Sequence, residues 1–408
     1  MVTNMFKSKY AQVLLACLFL ASCGGSGGDS GGEPLLPTPP ALSNYNVELF
    51  TGKATISYKE CDLVGDTLQT AGFFNLSKIA VYKDSIELLE SYEYCNIGDV
   101  PFEVRVIKGN NVDRILSENT TGLVKESPVA KYPSGFYKIA DNDYFVVGVA
   151  AARSNRNFEL DAATVADLSI KRGAYTGWDY FSHGFYRYVT KPLSRSRILA
   201  AGASTPPAVV DGQGNGAQFY APHDLEADAQ GLMYTVDNGM VRTIDRNYQV
   251  KTLSNAAMWV GGAVKALDAD RAGVVHVLGR QPDGSYVWAQ LMGGKRAEDL
   301  TARGFKLRAT DGPSDLKTIE TFTVVGDSLV VARRNYEAST SELFRVSSAG
   351  VVEDLTGSGR IAWPSTGASG TTGTAVAPFP QVQHLEYGVD GHLYIVLPQG
   401  VLRIKDFK

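Results

Sequence analysis

The sequence predicts an all-β chain folded as a six-bladed β-propeller of four-stranded antiparallel blades, and three observations carry that reading. Short apolar runs alternate with tight-turn dipeptides along most of the chain. The runs fall into groups of four, which is the strand count of one propeller blade. The last group lacks a strand, while a spare strand of the same character stands ahead of the first group.

The clearest group runs His223–Ala229, Leu232–Asp237, Met240–Asp245 and Gln249–Leu253. Gln230-Gly231, Asn238-Gly239 and Arg246-Asn247 separate its members, dipeptides of the types that supply positive φ in tight hairpins. A first blade reads Leu76–Tyr82, Ile86–Tyr94, Phe102–Ile107 and Val112–Leu116. A looser second reads Phe136–Ala140, Tyr144–Ala150, Phe185–Thr190 and Arg195–Ala200, with an insertion from Ala151 to Ser182. The fourth reads Val264–Ala269, Val274–Leu278, Tyr286–Leu291 and Arg296–Leu300. The fifth reads Thr318–Val325, Ser328–Arg333, Glu342–Val346 and Val351–Leu355. His384–Tyr387, Leu393–Leu397 and Val401–Lys405 leave the sixth one strand short. Asn46–Thr51 resembles the fourth strands of the third and fifth blades and is expected to complete it, closing the ring and removing an exposed edge.

Asp211-Gly212, Gly214, Ala217, Phe219, Pro222, Gly231, Tyr234, Asp237, Arg242 and Ile244 stand in the pattern of the NHL repeat, and residues 44–408 resemble an NHL-repeat propeller. The resemblance implies a family of binding scaffolds with a few enzymes, such as amidating lyases that hold a metal in the channel. Fold analogy assigns no reaction.

Residues 1–22 read as a signal peptide, with Lys7 and Lys9 ahead of an apolar run, Val13 to Leu20, too short for a permanent span. Leu20-Ala21-Ser22-Cys23 resembles the lipobox of bacterial lipoproteins, which implies acylation of Cys23. Gly24 in place of Asp after that cysteine implies the outer membrane of a Gram-negative bacterium. Residues 23–43, rich in Gly, Ser and then Pro, read as a tether. The expected location is the cell envelope, with membrane contact through the lipid only.

Four cysteines are present, and export leaves Cys61 and Cys95 to form a disulfide in an oxidising compartment. The net charge of −4 over 408 residues gives no basic excess for nucleic acid. The Gly212–Gly216 run lacks a following βαβ unit, and no HExxH, CxxC, GxSxG, P-loop or EF-hand pattern occurs.

In a propeller, connections from second to third strand and from fourth to the next first strand emerge on one face. The long connections, Lys53–Asn75, Ala151–Ser182, Ala201–Pro222 and Thr356–Gln383, are all of those kinds. Loops on a rigid scaffold are where binding residues lie. Trp178, Tyr180, Tyr220, Trp259 and Trp363 in or beside those loops suit sugar rings or partner side chains, or else form small cores for the loops themselves. His183, His223, Asp224 and His384 join them as ligand-binding candidates. His223 and His384 open the innermost strands of facing blades, with Glu226 and Glu386 aligned behind them, and Lys78, Lys265, Asp268 and Glu320 hold similar positions elsewhere. These residues make either a polar funnel for a divalent metal or polar ligand, with His223, Glu226, His384 and Glu386 as the metal set, or a wet channel of mutually offset charge.

The expected function is therefore a non-enzymatic recognition module that binds a protein or glycan of the envelope on its loop-rich face. No cofactor is required for it. The alternative is a metal-dependent lyase or hydrolase at the channel mouth, which would need a divalent ion.

Overall fold

The computed structural model describes residues 45–53, 67–91, 102–117, 129–140, 143–152, 180–191, 194–203, 209–220, 222–253, 263–293, 295–296, 303–308, 310–312, 317–335, 338–357, 361–364, 372 and 379–408. All belong to one unit, Ser43–Lys408. Among them, no helix is long and apolar enough to cross a membrane.

The chain is an all-β propeller of antiparallel meanders. The first sheet runs β2 (Leu76–Val81), β3 (Ile86–Ser91), β4 (Phe102–Lys108) and β5 (Asn111–Ser117). The second runs β6 (Val129–Ala140), β7 (Asp143–Ala152), β8 (Tyr180–Lys191) and β9 (Ser194–Ala203). In the next sheet β11 (Pro222–Ala227), β12 (Met233–Asp237), β13 (Met240–Ile244) and β14 (Gln249–Thr252) pair in order, and β10 (Gly212–Gln213) adds a fifth strand outside β14. Then come β15 (Ala263–Ala269), β16 (Val275–Arg280) and β17 (Tyr286–Met292), whose outer edge pairs with both β18 (Lys295–Arg296) and β19 (Arg303–Phe305). The next sheet is β20 (Lys317–Val325), β21 (Ser328–Asn335), β22 (Thr340–Ser347) and β23 (Val352–Asp354). In the last sheet β25 (His384–Tyr387), β26 (Leu393–Leu397) and β27 (Gly400–Ile404) are joined by β1 (Tyr45–Gly52), with β24 (Ile361–Ala362) parallel to β1.

Three departures from expectation have local causes. Blades are not uniformly four-stranded, because β10, β19 and β24 each cover part of an outer edge. The fourth strand expected at Arg296–Leu300 is split into β18 and β19. The tight hairpin expected at Arg246-Asn247 is a four-residue loop in which Tyr248 takes the left-handed conformation, φ +59°, and the Asp245 carboxylate accepts from the N–H groups of Asn247 and Gln249. At Asn238-Gly239 both residues do have positive φ, +53° and +74°, as a hairpin of that type requires.

The turns between first and second strands repeat one device. Asp228 accepts from the N–H groups of Gln230 and Leu232, and its second oxygen accepts from the Tyr234 hydroxyl at 2.9 Å. Asp270 does the same for Ala272, Val274 and the His276 ring, and Asp390 for His392 and Tyr394. Each aspartate thus folds its own turn and ties it to the buried second strand.

A second device recurs in the third strands. Arg105, Arg242 and Arg403, all in third strands, lie over the rings of Phe73, Phe219 and Phe50 at 4.7, 4.6 and 4.5 Å. Arg242, fully buried, also binds Asp237, Asp211 and the carbonyls of Val210 and Gln218. A planar guanidinium serves both roles because it stacks on its face while donating from its edge.

The N-terminal strand joins the last sheet by antiparallel pairing from Val47↔Ile404 to Gly52↔Gly400. Val47 and Leu49 are fully buried in the core of that blade, and Glu48 pairs with Arg403 and Lys405. Gly52 has φ +79°, and a Cβ there would meet the Gln399 carbonyl, so the chain leaves β1 only through glycine.

Candidate functional site: the axis and the loop-bearing face

The innermost strands β2, β6, β11, β15, β20 and β25 lie beside one another in that order, with β25 returning to β2. All but β25 carry a register shift against their partners. In β11 the shift lies between His223 and Glu226, and Asp224 inside it has φ +52°. Gly135 of β6 packs so closely on Asp224-Leu225 that no side chain would fit there. This kink aims Asp224 at the next blade, where its carboxylate accepts from the Leu267 N–H at 3.1 Å, and leaves Glu226 to meet β2.

The same arrangement travels around the axis. Asp268 accepts from the Val324 N–H at 2.9 Å, and the Thr323 hydroxyl accepts from the Tyr387 N–H at 2.9 Å. Glu386 in turn accepts from the backbone of Val81. Axial acids and hydroxyls therefore satisfy backbone donors of the neighbouring blade, which register shifts would otherwise leave unpaired.

The charge at the axis is one-sided. Lys78 is the buried cation, bonding both the Glu226 carboxylate and the Leu225 carbonyl at 3.1 Å from the opposite side of β6. Asp224, Glu226, Asp268 and Glu386 surround it. Burial opposes the charge of Lys78, yet Glu226, Asp224 and Glu386 hold its pKa above the ordinary value. Burial and mutual repulsion push Asp268 and Glu386 well above the usual carboxylate range. Glu226 also rises through burial, with Lys78 restraining it. Burial and the Lys78 charge push His384 well below the ordinary histidine value, so its ring is neutral. Its Nδ1 lies 3.3 Å from the Thr321 hydroxyl and its Nε2 3.8 Å from the Glu386 carboxylate.

The structure does not assemble the expected metal set. Among the described residues, no group of three or more His, Cys, Asp or Glu is arranged to hold a metal ion. The physical reason is that Lys78 places an ammonium against Glu226, while His223 turns its Nε2 to the Lys265 carbonyl, 3.3 Å away. Glu226, His384 and Glu386 do share the axis, with Asp268, but gathered around the Lys78 ammonium rather than around an open position. Glu320 is exposed and bonds Thr318.

The other candidates separate. Tyr220 is exposed, at 46 %, with its N–H on the Asp237 carboxylate, at the end where β12 turns into β13. Trp363 is not an accessible aromatic: it is buried in the core of the last blade against Phe379, ring centroids 5.9 Å apart. Tyr180 and His183 lie within β8, opposite Ala152 and Val149, rather than in a loop. Trp178, Trp259, Cys23, Cys61 and Cys95 lie outside the described residues. His276, buried, accepts from the Trp288 indole at 2.8 Å and bonds Asp270, as a packing residue does.

Sequence reasoning placed Lys78 near the axis without seeing it as the counter-ion, and missed the arginine stacks. For Arg105 and Arg242 the available signal was a Phe, Phe73 or Phe219, just before the inner strand of the same blade.

The connections divide by face. Those from first to second strand and from third to fourth are all short, none longer than the five residues 228–232, 270–274 and 388–392. Longer ones, including 53–75, 92–101, 118–128, 153–179 and 204–221, join second to third strands or one blade to the next, while the six residues 297–302 separate the two pieces of one fourth strand, β18 and β19. Bonds between blades confirm that these ends coincide: Val264 N–H reaches the Gly239 carbonyl, Leu76 N–H that of Pro398, and on the opposite face Ala229 N–H reaches Gly273. On that plain face Arg271 stacks over Tyr387 at 4.1 Å and binds the Gly388 carbonyl.

No protein-family model matches the chain, and no curated protein matches its sequence. Among solved structures, a Bacteroides thetaiotaomicron protein of unknown function is similar at 13% identity and a TM-score of 0.48, over 88% of this chain and 75% of that one. The extracellular domain of a putative hybrid two component system from the same organism is similar at 9% identity and a TM-score of 0.41, over 88% of this chain and 40% of that one. A gluconolactonase from Xanthomonas campestris is similar at 9% identity and a TM-score of 0.42, over 91% of this chain and 98% of that one. The assignment as a propeller rests on the strand pairing described above.

Proposed function

We propose that this chain is a non-enzymatic recognition module of the cell envelope, binding a protein or glycan on the loop-bearing face of a six-bladed, NHL-like propeller. The observation that carries the reading is the one-sided distribution of connections: each first-to-second and third-to-fourth turn has five residues or fewer, and the long connections between second and third strands or between successive blades share the other face. A scaffold elaborated on one face concentrates adaptable residues where a partner can reach them. The ring of six innermost neighbours, from β2 round to β25, supports the blade count. The lipobox-like Leu20–Cys23 and the Gly/Ser/Pro segment behind it support a lipid anchor in an outer membrane, and export favours a Cys61–Cys95 disulfide.

The axis supports binding over catalysis. Its acids serve the backbone of neighbouring blades and one lysine, an arrangement of structural neutrality rather than of an open metal position. The exposed Tyr220 and half-buried His223 at the mouth are the described residues best placed to touch a ligand. The test is capture from envelope extracts and glycan arrays by residues 24–408, with Tyr220→Ala and His223→Ala as comparisons. Binding that both substitutions weaken supports the reading. A stoichiometric metal on the purified protein, together with turnover of a lactone or ester substrate, would replace it with the lyase or hydrolase alternative.

A further inference from the structure

Strand polarity fixes which face the N-terminal segment leaves from. β1 occupies the fourth position of the last blade, antiparallel to β27, and therefore runs from the plain face toward the loop-bearing face. Its end, Gly52-Lys53, lies at the loop-bearing side, where the Lys53 N–H binds the Gln399 carbonyl in the turn between β26 and β27. Its start lies at the other. Tyr45 stacks on Phe407 at 4.7 Å, and the neighbouring Asp406 N–H donates to His392, in the short turn between β25 and β26. The chain ahead of Tyr45 and the C-terminus therefore both depart from the plain face.

We infer that, when this protein is held at a membrane through its N-terminal segment, the plain face is turned toward the bilayer and the loop-bearing face is displayed away from it, toward a partner that is not the anchoring membrane. The inference rests on the recognition reading above and adds the direction in which that surface looks. Two quantities limit it. The 21 residues 24–44 reach no more than about 75 Å even at full extension. The two faces are separated by at least the length of a second strand, about 17 Å for the five residues of β12. A tether attached at one face thus biases that face toward the bilayer, because turning the ring over requires the tether to span the blade height as well as the gap.

The consequence for the partner is chemical. A surface turned from its own membrane meets soluble proteins, glycans or a facing layer, and contacts headgroups of that membrane least. The plain face, by contrast, carries the capped Asp turns and Arg271, and its exposed apolar residues Val389 and Val351 stand singly in short turns.

The experiment keeps this inference separate from the lipidation reading. Residues 24–408, with Cys23 replaced and a histidine tag placed ahead of residue 24, are bound to vesicles of neutral lipid containing a nickel-chelating lipid and a lipid-linked energy acceptor. A donor dye is attached through Val389→Cys or Val351→Cys on the plain face, or through Tyr220→Cys on the loop-bearing face, with the protein lacking any introduced cysteine giving the background from Cys61 and Cys95. All three positions are exposed, so labelling leaves the core intact. The expected result is transfer from positions 389 and 351 exceeding that from 220 by about twofold or more, given the blade height. Equal transfer from both faces, or stronger transfer from position 220, overturns the inference. Moving the tag behind Lys408 should preserve the order, since that terminus leaves the same face; a reversed order there also overturns it. Mass analysis of Cys23 in the exported protein tests lipidation independently, and its absence would remove the anchor without altering the polarity measured on the vesicles.

Discussion

Replacing Lys78 by Met tests whether the axis is a structural ring of charge. Lys78 is 4 % exposed, and its ammonium satisfies both the Glu226 carboxylate and the Leu225 carbonyl. Methionine keeps the volume of the stem and removes the charge. Removing one partner of a buried pair costs about 3–5 kcal/mol, and Glu226 retains 15 % accessible side chain, so the lower end, about 3 kcal/mol, is expected. With an unfolding entropy of about 2.1 cal/mol/K per residue over some 360 residues, that lowers Tm by about 4 °C. The loss should also depend on pH. Burial already holds the folded pKa of Glu226 above its unfolded value, and losing Lys78 raises it further. A carboxyl raised on folding contributes stability that is complete below its unfolded pKa and is lost as pH rises through the folded one. The deficit of Lys78→Met should therefore shrink at pH 5 and widen at pH 8. Glu226→Gln should suppress most of it, because the orphaned charge is gone. Thermal and urea unfolding of the four members of this double-mutant cycle at both pH values makes the measurement. Additive losses, or a deficit below about 1 kcal/mol that ignores pH, would refute the view that Lys78 exists to neutralise Glu226.

Other consequences are equally open to measurement. Burial first, then repulsion from neighbouring carboxylates, raise Asp268 and Glu386 well above the usual carboxylate range, so the wild-type protein should lose stability as pH rises from that range toward alkaline values; Glu386→Gln should flatten that dependence in pH-resolved unfolding. Arg242→Met, which removes the guanidinium paired with the buried Asp237, should cost about 3–5 kcal/mol by chemical denaturation, whereas Arg246→Met at an exposed turn should stay within about 0.5 kcal/mol. Deleting residues before 45 should leave Tm unchanged, while deleting β1 as well removes Val47 and Leu49 from the core and exposes the edge of β27; loss of the cooperative transition or aggregation is expected by calorimetry and light scattering. Trp363→Ala should act as a core truncation, costing about 3–5 kcal/mol, with no selective effect on partner capture once folded protein is compared.

The local parts of this fold could be read along the chain because their causes are local. Asn238-Gly239 takes two positive φ angles wherever it stands between apolar strands, and a spare strand at 46–51 matches a missing one at the far end. Short connections on one face and long ones on the other follow from strand order alone. The function of the axial residues was not legible in that way. Lys78 and Glu226 stand 148 residues apart, and only the kink at Asp224 and the passage of β6 between their strands bring the two charges together. Sequence position suggested a metal set from His223, Glu226, His384 and Glu386. The assembled ring gives His223 a carbonyl, Glu226 a lysine and Glu386 a backbone donor. Trp363 likewise reads as a loop aromatic, yet Ile361-Ala362 pairs with β1 and carries it into the core. The sequence by itself determined most of the strands, the Asn238-Gly239 turn and the closing strand, since those depend on neighbours within a few residues or on matching apolar patterns. Only the tertiary structure decided which charges share the axis and which aromatics reach solvent, because burial and Coulomb energy depend on distances that the circular packing of blades sets.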